Sequence, residues 1–172
     1  MALTYQLIQG ITGQGNPYTV PASSTVANVT FSNIPSTYTD LVVRVSGRSA
    51  AASPEGTYIA FNGSQSNFSG TYIIGDGSSP GIGNIARYIG SIFGGGSSSN
   101  VFNCSYIYIS NYSSATTKTF TVVNTAENNA TSGYNNIMGG QWANNSTINS
   151  ITIESSGFTQ NSSFTLYGIT RA

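Results

Sequence analysis

The stretch Val101-Phe102-Asn103-Cys104-Ser105-Tyr106-Ile107-Tyr108-Ile109-Ser110-Asn111-Tyr112 decides the fold. Its β-branched and aromatic side chains alternate with period two, the pattern of a strand and not of a 3.6-residue helical stripe. Ile107 and Ile109 point one way, and Phe102, Cys104, Tyr106, Tyr108 and Tyr112 the other, so both faces are apolar. The same period recurs outward from this strand. Before it come Leu3–Ile11, Thr25–Phe31, Asp40–Arg48, Thr57–Phe61, Gly70–Ile74 and Ala86–Ile92; after it come Thr117–Thr125, Asn136–Trp142, Ile148–Glu154 and Ser163–Thr170. Turn-rich pieces such as Gly13-Gln14-Gly15-Asn16-Pro17, Asn62-Gly63-Ser64 and Ser155-Ser156-Gly157 separate them. No segment carries a sustained helical stripe. The expected fold is all-β: one β-sandwich domain over residues 1–172, jelly-roll-like, with about eight to eleven strands. The Gly/Ser-rich region 77–100 is read as variable, an ordered long loop plus one strand.

Two further strands show what the faces require. In Asp40–Arg48, Leu41, Val43 and Val45 share one face while Asp40, Arg44, Ser46 and Arg48 share the other, which predicts a half-buried, half-wet strand. In Ser163–Thr170, Phe164 and Leu166 oppose Tyr167 and Ile169, so both faces are apolar again. A sheet in a sandwich has one inner face. The outer faces of Val101–Tyr112 and Ser163–Thr170 therefore need cover, from the chain's own Gly75–Asn100 segment, a neighbouring subunit or another protein.

Only five acidic and five basic residues occur among 172, a charged fraction of 6% against roughly 25% in ordinary soluble proteins. Arg44, Arg48, Arg87, Lys118 and Arg171 are scattered, which leaves no footprint for nucleic acid. No stretch is long enough to span a bilayer as a helix, so membrane insertion is not expected. With no His and the single Cys104, there is no internal disulfide and almost no ligand set for zinc, haem or iron–sulfur clusters. Neither metal nor cofactor is expected. The N-terminal Met1-Ala2-Leu3-Thr4-Tyr5 run has no basic segment before a long apolar one, so a secretory signal is not expected. An external-type surface on a chain without that signal fits a virus particle, made in a cytosol and released by lysis; a fragment of a secreted protein gives the same pattern.

Catalytic constellations are missing. A nucleophilic triad has no His to take the proton, and a Ser-Lys dyad could draw only on Lys118. Cys104, among aromatics in a strand, reads as a small buried hydrophobe. Asp40, Glu55, Asp76, Glu127 and Glu154 are the only carboxylates available for glycoside hydrolysis, and no two are close in sequence or share a motif. Asp76 reads as a turn residue and Glu154 as an outward charge. Gly81-Ile82-Gly83-Asn84-Ile85-Ala86 matches a dinucleotide pattern by letters only, since it follows Ser-Ser-Pro and opens no helix. The sequons at Asn28, Asn62, Asn67, Asn103, Asn111, Asn129 and Asn161 follow from a composition rich in Asn, Ser and Thr. No enzyme is expected. Tyr134-Asn135-Asn136 and Gln141-Trp142-Ala143-Asn144-Asn145 carry the chemistry of sugar recognition, making Tyr134 and Trp142 candidate ligand contacts; the competing assignment places Trp142 in the core.

Several blocks, in order along the chain, carry a resemblance. They are Phe31-Ser32-Asn33-Ile34-Pro35-Ser36-Thr37-Tyr38-Thr39-Asp40-Leu41 with Arg44 and Arg48, Phe61-Asn62-Gly63, and Ile109-Ser110-Asn111-Tyr112 with Lys118. Glu127-Asn128-Asn129-Ala130-Thr131, Gly140-Gln141-Trp142, Ile148-Asn149-Ser150-Ile151-Thr152-Ile153 and Phe164-Thr165-Leu166-Tyr167-Gly168-Ile169 follow. Together they resemble small all-β bacteriophage virion proteins, many from marine and cyanobacterial phages. The resemblance implies a place on the exterior of the particle, as a head decoration or cement protein, with no catalytic residues. A tail or tail-fibre receptor-binding module and a carbohydrate-binding β-sandwich remain alternatives. The expected partners are further copies of the chain, as a trimer suited to three-fold capsid positions, the major capsid protein or other virion proteins, and host surface glycans. Tyr106, Tyr108 and Tyr167, each with a large apolar face and one polar tip, are expected at the contact.

Overall fold

The computed structural model describes residues 3–8, 12–94, 100–128 and 133–171. Fourteen strands lie in them: β1 Leu3–Leu7, β2 Thr12–Gly13, β3 Tyr18–Thr19, β4 Thr25–Ser32, β5 Asp40–Ser46, β6 Glu55–Phe61, β7 Phe68–Gly75, β8 Pro80–Asn84, β9 Tyr88–Ile92, β10 Cys104–Ser110, β11 Lys118–Glu127, β12 Gly133–Trp142, β13 Ser150–Thr159 and β14 Ser163–Arg171. No helix occurs among the described residues. Two antiparallel sheets form. The larger runs β1-β14-β5-β10-β11-β12-β7-β8, with β3 paired to the start of β14, and the smaller runs β2-β4-β13-β6-β9. The β-sandwich is as expected. Most connections cross between sheets, while β10, β11 and β12 stay in one sheet as a plain meander.

β11 shows how the sequence sets the layers. Lys118, Phe120, Val122, Asn124 and Ala126 are buried while every residue between them is exposed, which is period two written without interruption. Between the sheets the interior changes character along its length. At one end Phe61, Phe68, Phe120 and Trp142 pack with ring centroids 5.4–6.4 Å apart. At the other, Asn136 donates to the Asn124 carbonyl (2.8 Å), Asn124 and Asn103 donate to Ser105 Oγ (2.8 and 2.9 Å), and the Ser91 backbone N–H donates to Asn124 (3.1 Å). Gly90 makes room there: its φ is +126°, and a Cβ would lie 2.3 Å from the Asn124 carboxamide.

All eleven expected strands are present within a few residues. β2 and β3 are two residues long and were not expected. β8 was not expected either, because Pro80-Gly81-Ile82-Gly83-Asn84 offers one large side chain at an edge where only one neighbour must be satisfied. The Gly75–Asn100 segment is therefore two strands: β8 extends the larger sheet and β9 joins the smaller one, leaving no cover over β10 among the described residues. Residues 9–11, within the expected first strand, and 95–99, within the variable region, lie outside the described residues. The wet face expected for β5 is only partly wet. Arg44 is exposed, but Asp40 is buried and accepts hydrogen bonds from the Tyr108 hydroxyl (2.7 Å) and the Asn111 backbone N–H (2.8 Å). Val42, on the same face, is buried where Tyr108 and Tyr167 flank it in register. Much of the Asn excess sits in turns: Asn33, Asn62, Asn67, Asn100, Asn111 and Asn161 adopt φ between 47° and 67°, a region Asn tolerates better than other non-glycine residues.

Candidate functional site

The outward side chains of the larger sheet fall into rows because antiparallel register places partner residues side by side. One row reads Ile82, Ile73, Ile137, Val123, Tyr106 and Arg44 across β8, β7, β12, β11, β10 and β5. Its apolar members are 84%, 59%, 60%, 49% and 37% exposed, an uninterrupted aliphatic ridge ending on an aromatic. Two residues along each strand, the next row reads Asn84, Thr71, Gly139, Thr121 and Tyr108. Nothing lies within 4 Å of where a Gly139 Cβ would stand, so this row is a trough. Two adjoining depressions of about 830 and 630 Å³ share Thr71, Asn84, Thr121 and Gly139, and no charged residue lines either.

At the β5–β14 end of this face Tyr5, Val42, Arg44, Cys104, Tyr106 and Tyr167 surround a depression of about 440 Å³. The hydroxyls of Tyr5 and Tyr106 share a hydrogen bond (3.2 Å). Burial, and after it the Tyr5 hydroxyl, push the Tyr106 phenol up to about 12. Tyr106 and Tyr167, singled out from the sequence, thus border one depression. Tyr108 shares their face, but its hydroxyl is turned to Asp40 and helps to bury that carboxylate. Cys104 is exposed on this face, not buried: the aromatics around it stand on the outside of the sheet.

The sugar-contact candidates separate. Trp142 is 1% exposed and packs edge-on to Phe61 and stacked on Phe68, so it belongs to the core and no ligand reaches it. Its run of Asn and Gln neighbours, which suggested a surface, belongs to the strand end and the turn after it. Tyr134 is half-buried and stacks on Phe93, centroids 5.4 Å apart at 14°. The two do not meet in one site.

Of the carboxylates, Glu55 and Glu154 come together in a polar depression of about 480 Å³ on the outer face of the smaller sheet, with Asn28, Tyr58 and Gln65. Both are already engaged. Glu154 pairs with Arg87 (2.9 Å) and accepts from Gln65 (3.0 Å), and Glu55 accepts from Ser49. Asp76 is the turn residue it resembles: its carboxylate accepts from the Ser78 and Ser79 backbone N–H groups and from the Ser78 hydroxyl, which hold it down at about 2. Lys118 is buried, and its ammonium donates to the carbonyls of Ser114 and Thr116 (both 2.5 Å) and Asn144 (3.4 Å). Burial pushes its pKa down. It fastens two loops at the aromatic end of the sandwich, a role no motif signalled. The ridge itself was also missed from the sequence, since period two places Ile73 and Ile137 outward while only long-range register aligns them.

Compared with known protein families, curated proteins and solved structures, the chain matches none of them.

Proposed function

We propose that this chain is a non-enzymatic structural protein of a bacteriophage particle, seated on the outside of the head as a decoration or cement protein. The ridge carries this reading: five apolar side chains in one register row on the outer face of a sandwich are a contact surface for another protein. The block resemblance supplies the setting, and the scarcity of charge suits an exterior life. The carboxylates, engaged in turns, ion pairs and buried hydrogen bonds, support a role without catalysis. The test adds the purified chain to heads of the encoding phage stripped of it and images them. Density on the head exterior is expected; density confined to the tail, or none at ten-micromolar protein, rejects the assignment.

A second reading, a receptor-binding module for host glycans, draws on the uncharged trough with its threonine hydroxyls and the Asn84 and Gln141 carboxamides. Calorimetric titration with neutral host glycans separates it from the first.

A further inference from the structure

We propose that the outer face of the larger sheet closes on a second copy of this chain through a twofold contact, the ridge of each copy lying in the trough of the other. This rests on reading that face as a protein contact.

Self-complementarity names the occupant. Ridge and trough cross the same strands, β8, β7, β12, β11 and β10, in the same order, and stand two residues apart along each, about 6.8 Å. A half-turn about an axis lying in the face, parallel to the rows and midway between them, exchanges ridge with trough and keeps each strand over its own counterpart. Ile137, the most prominent side chain at the centre, then meets Gly139 of the second copy, where a Cβ would have nothing within 4 Å. Val123 meets Thr121 and Ile73 meets Thr71, aliphatic groups against threonine methyls. Facing strands run antiparallel, within the range of aligned sheet packing at about 10 Å separation.

Charge and size both allow it. Among the described residues of the face from β5 to β8 the exposed outward charges are two, both at its margins: Arg44 on β5, at the end of the ridge row and opposite Val42 of the second copy, and Glu127, the last residue of β11, four beyond Val123. From β5 to β8 the face is ~24 Å wide, and eight residues make it ~27 Å long, roughly 650 Å² per copy and ~1,300 Å² in all, inside the ~1,200–2,000 Å² of stable specific interfaces. A three-fold cluster joins two different patches of each copy, whereas a ridge beside its own trough is satisfied by a twofold. The pairing is therefore a dimer, in place of the trimer expected from capsid positions.

Sedimentation equilibrium on the full chain tests it with two single variants and their combination. Ile137→Lys and Gly139→Glu each put two unpaired charges into the contact and should weaken association by roughly 100-fold or more. The double variant I137K/G139E places each new cation against a new anion of the other copy and should regain the dimer. Both positions are open in the single chain, and circular dichroism melts check that each variant is folded. A monomeric wild type, a dimer indifferent to both single variants, or a double variant that stays monomeric overturns the proposal. A monomer that still binds stripped heads overturns the dimer and leaves the decoration role standing. A dimer that binds no head keeps the contact and removes that role.

Discussion

The two outer faces of the sandwich have been solved differently. On the smaller sheet polar groups satisfy one another: Thr30 and Thr152 share a hydrogen bond (3.0 Å), Glu154 pairs with Arg87 (2.9 Å), and the Arg87 guanidinium lies 5.7 Å from the Tyr58 ring centre. On the larger sheet Ile82, Ile73, Ile137 and Val123 stand exposed in one row. A face whose groups are already partnered gains little from a second protein. A face whose side chains meet only water gains the transfer free energy of each one it covers, about 25 cal/mol per Å². A partner would therefore gain more on the larger sheet than on the smaller one.

The sharpest way to break the contrast is to put a lysine on each face. Ile73→Lys should reduce self-association by roughly 100-fold, and Thr152→Lys should leave it within about 2-fold, as read by sedimentation. Equal losses from both variants would end the distinction. Asp40→Ala comes next. It strands the Tyr108 hydroxyl and the Asn111 N–H, partners of a buried carboxylate, and urea unfolding should show a loss of about 2–4 kcal/mol. Glu154→Gln, on the polar face with its side chain 18% exposed, should cost about 0.5–1 kcal/mol. The smallest effect is a titration. Tyr106 holds its proton up to about pH 12 in the folded chain against an ordinary value of 10, so its contribution to stability is complete below pH 10 and is lost as pH rises from 10 to 12. Ultraviolet titration of wild type against Tyr106→Phe should show the difference as one tyrosine ionising near pH 12; a difference centred near 10 would place Tyr106 in open water.

Strands were legible because most carry their own period-two signal, and the outward direction of Tyr106 and Tyr108 came with it, whereas Cys104 on the same face read as buried and is exposed. What could not be read is whatever depends on a neighbour distant in sequence. Asp40 looked wet, but Tyr108, paired in register with Val42 two residues along, reaches across to its carboxylate and helps to bury it. Trp142 looked like a platform because its sequence neighbours are polar, yet its spatial neighbours are Phe61 and Phe68. Asn136 belonged to the run that suggested sugar recognition, although it faces inward and donates to the Asn124 side chain between the sheets. The ridge needed four separate registers to fall in line, and no local pattern encodes that.

The placement of the cations has a further consequence, for resistance to proteolysis. Proteases of the trypsin type cut after an accessible Lys or Arg in a chain that can be drawn out and threaded. Lys118 is buried beneath three carbonyls, Arg87 is tied to Glu154 and the Ile59 carbonyl, Arg48 is half-buried and donates to the Val101 carbonyl, and Arg44 lies in the middle of a sheet with β10 and β14 on either side. Each of these four cleavage points is withheld by the fold, so the few charges the chain keeps leave such an enzyme almost nothing to begin on.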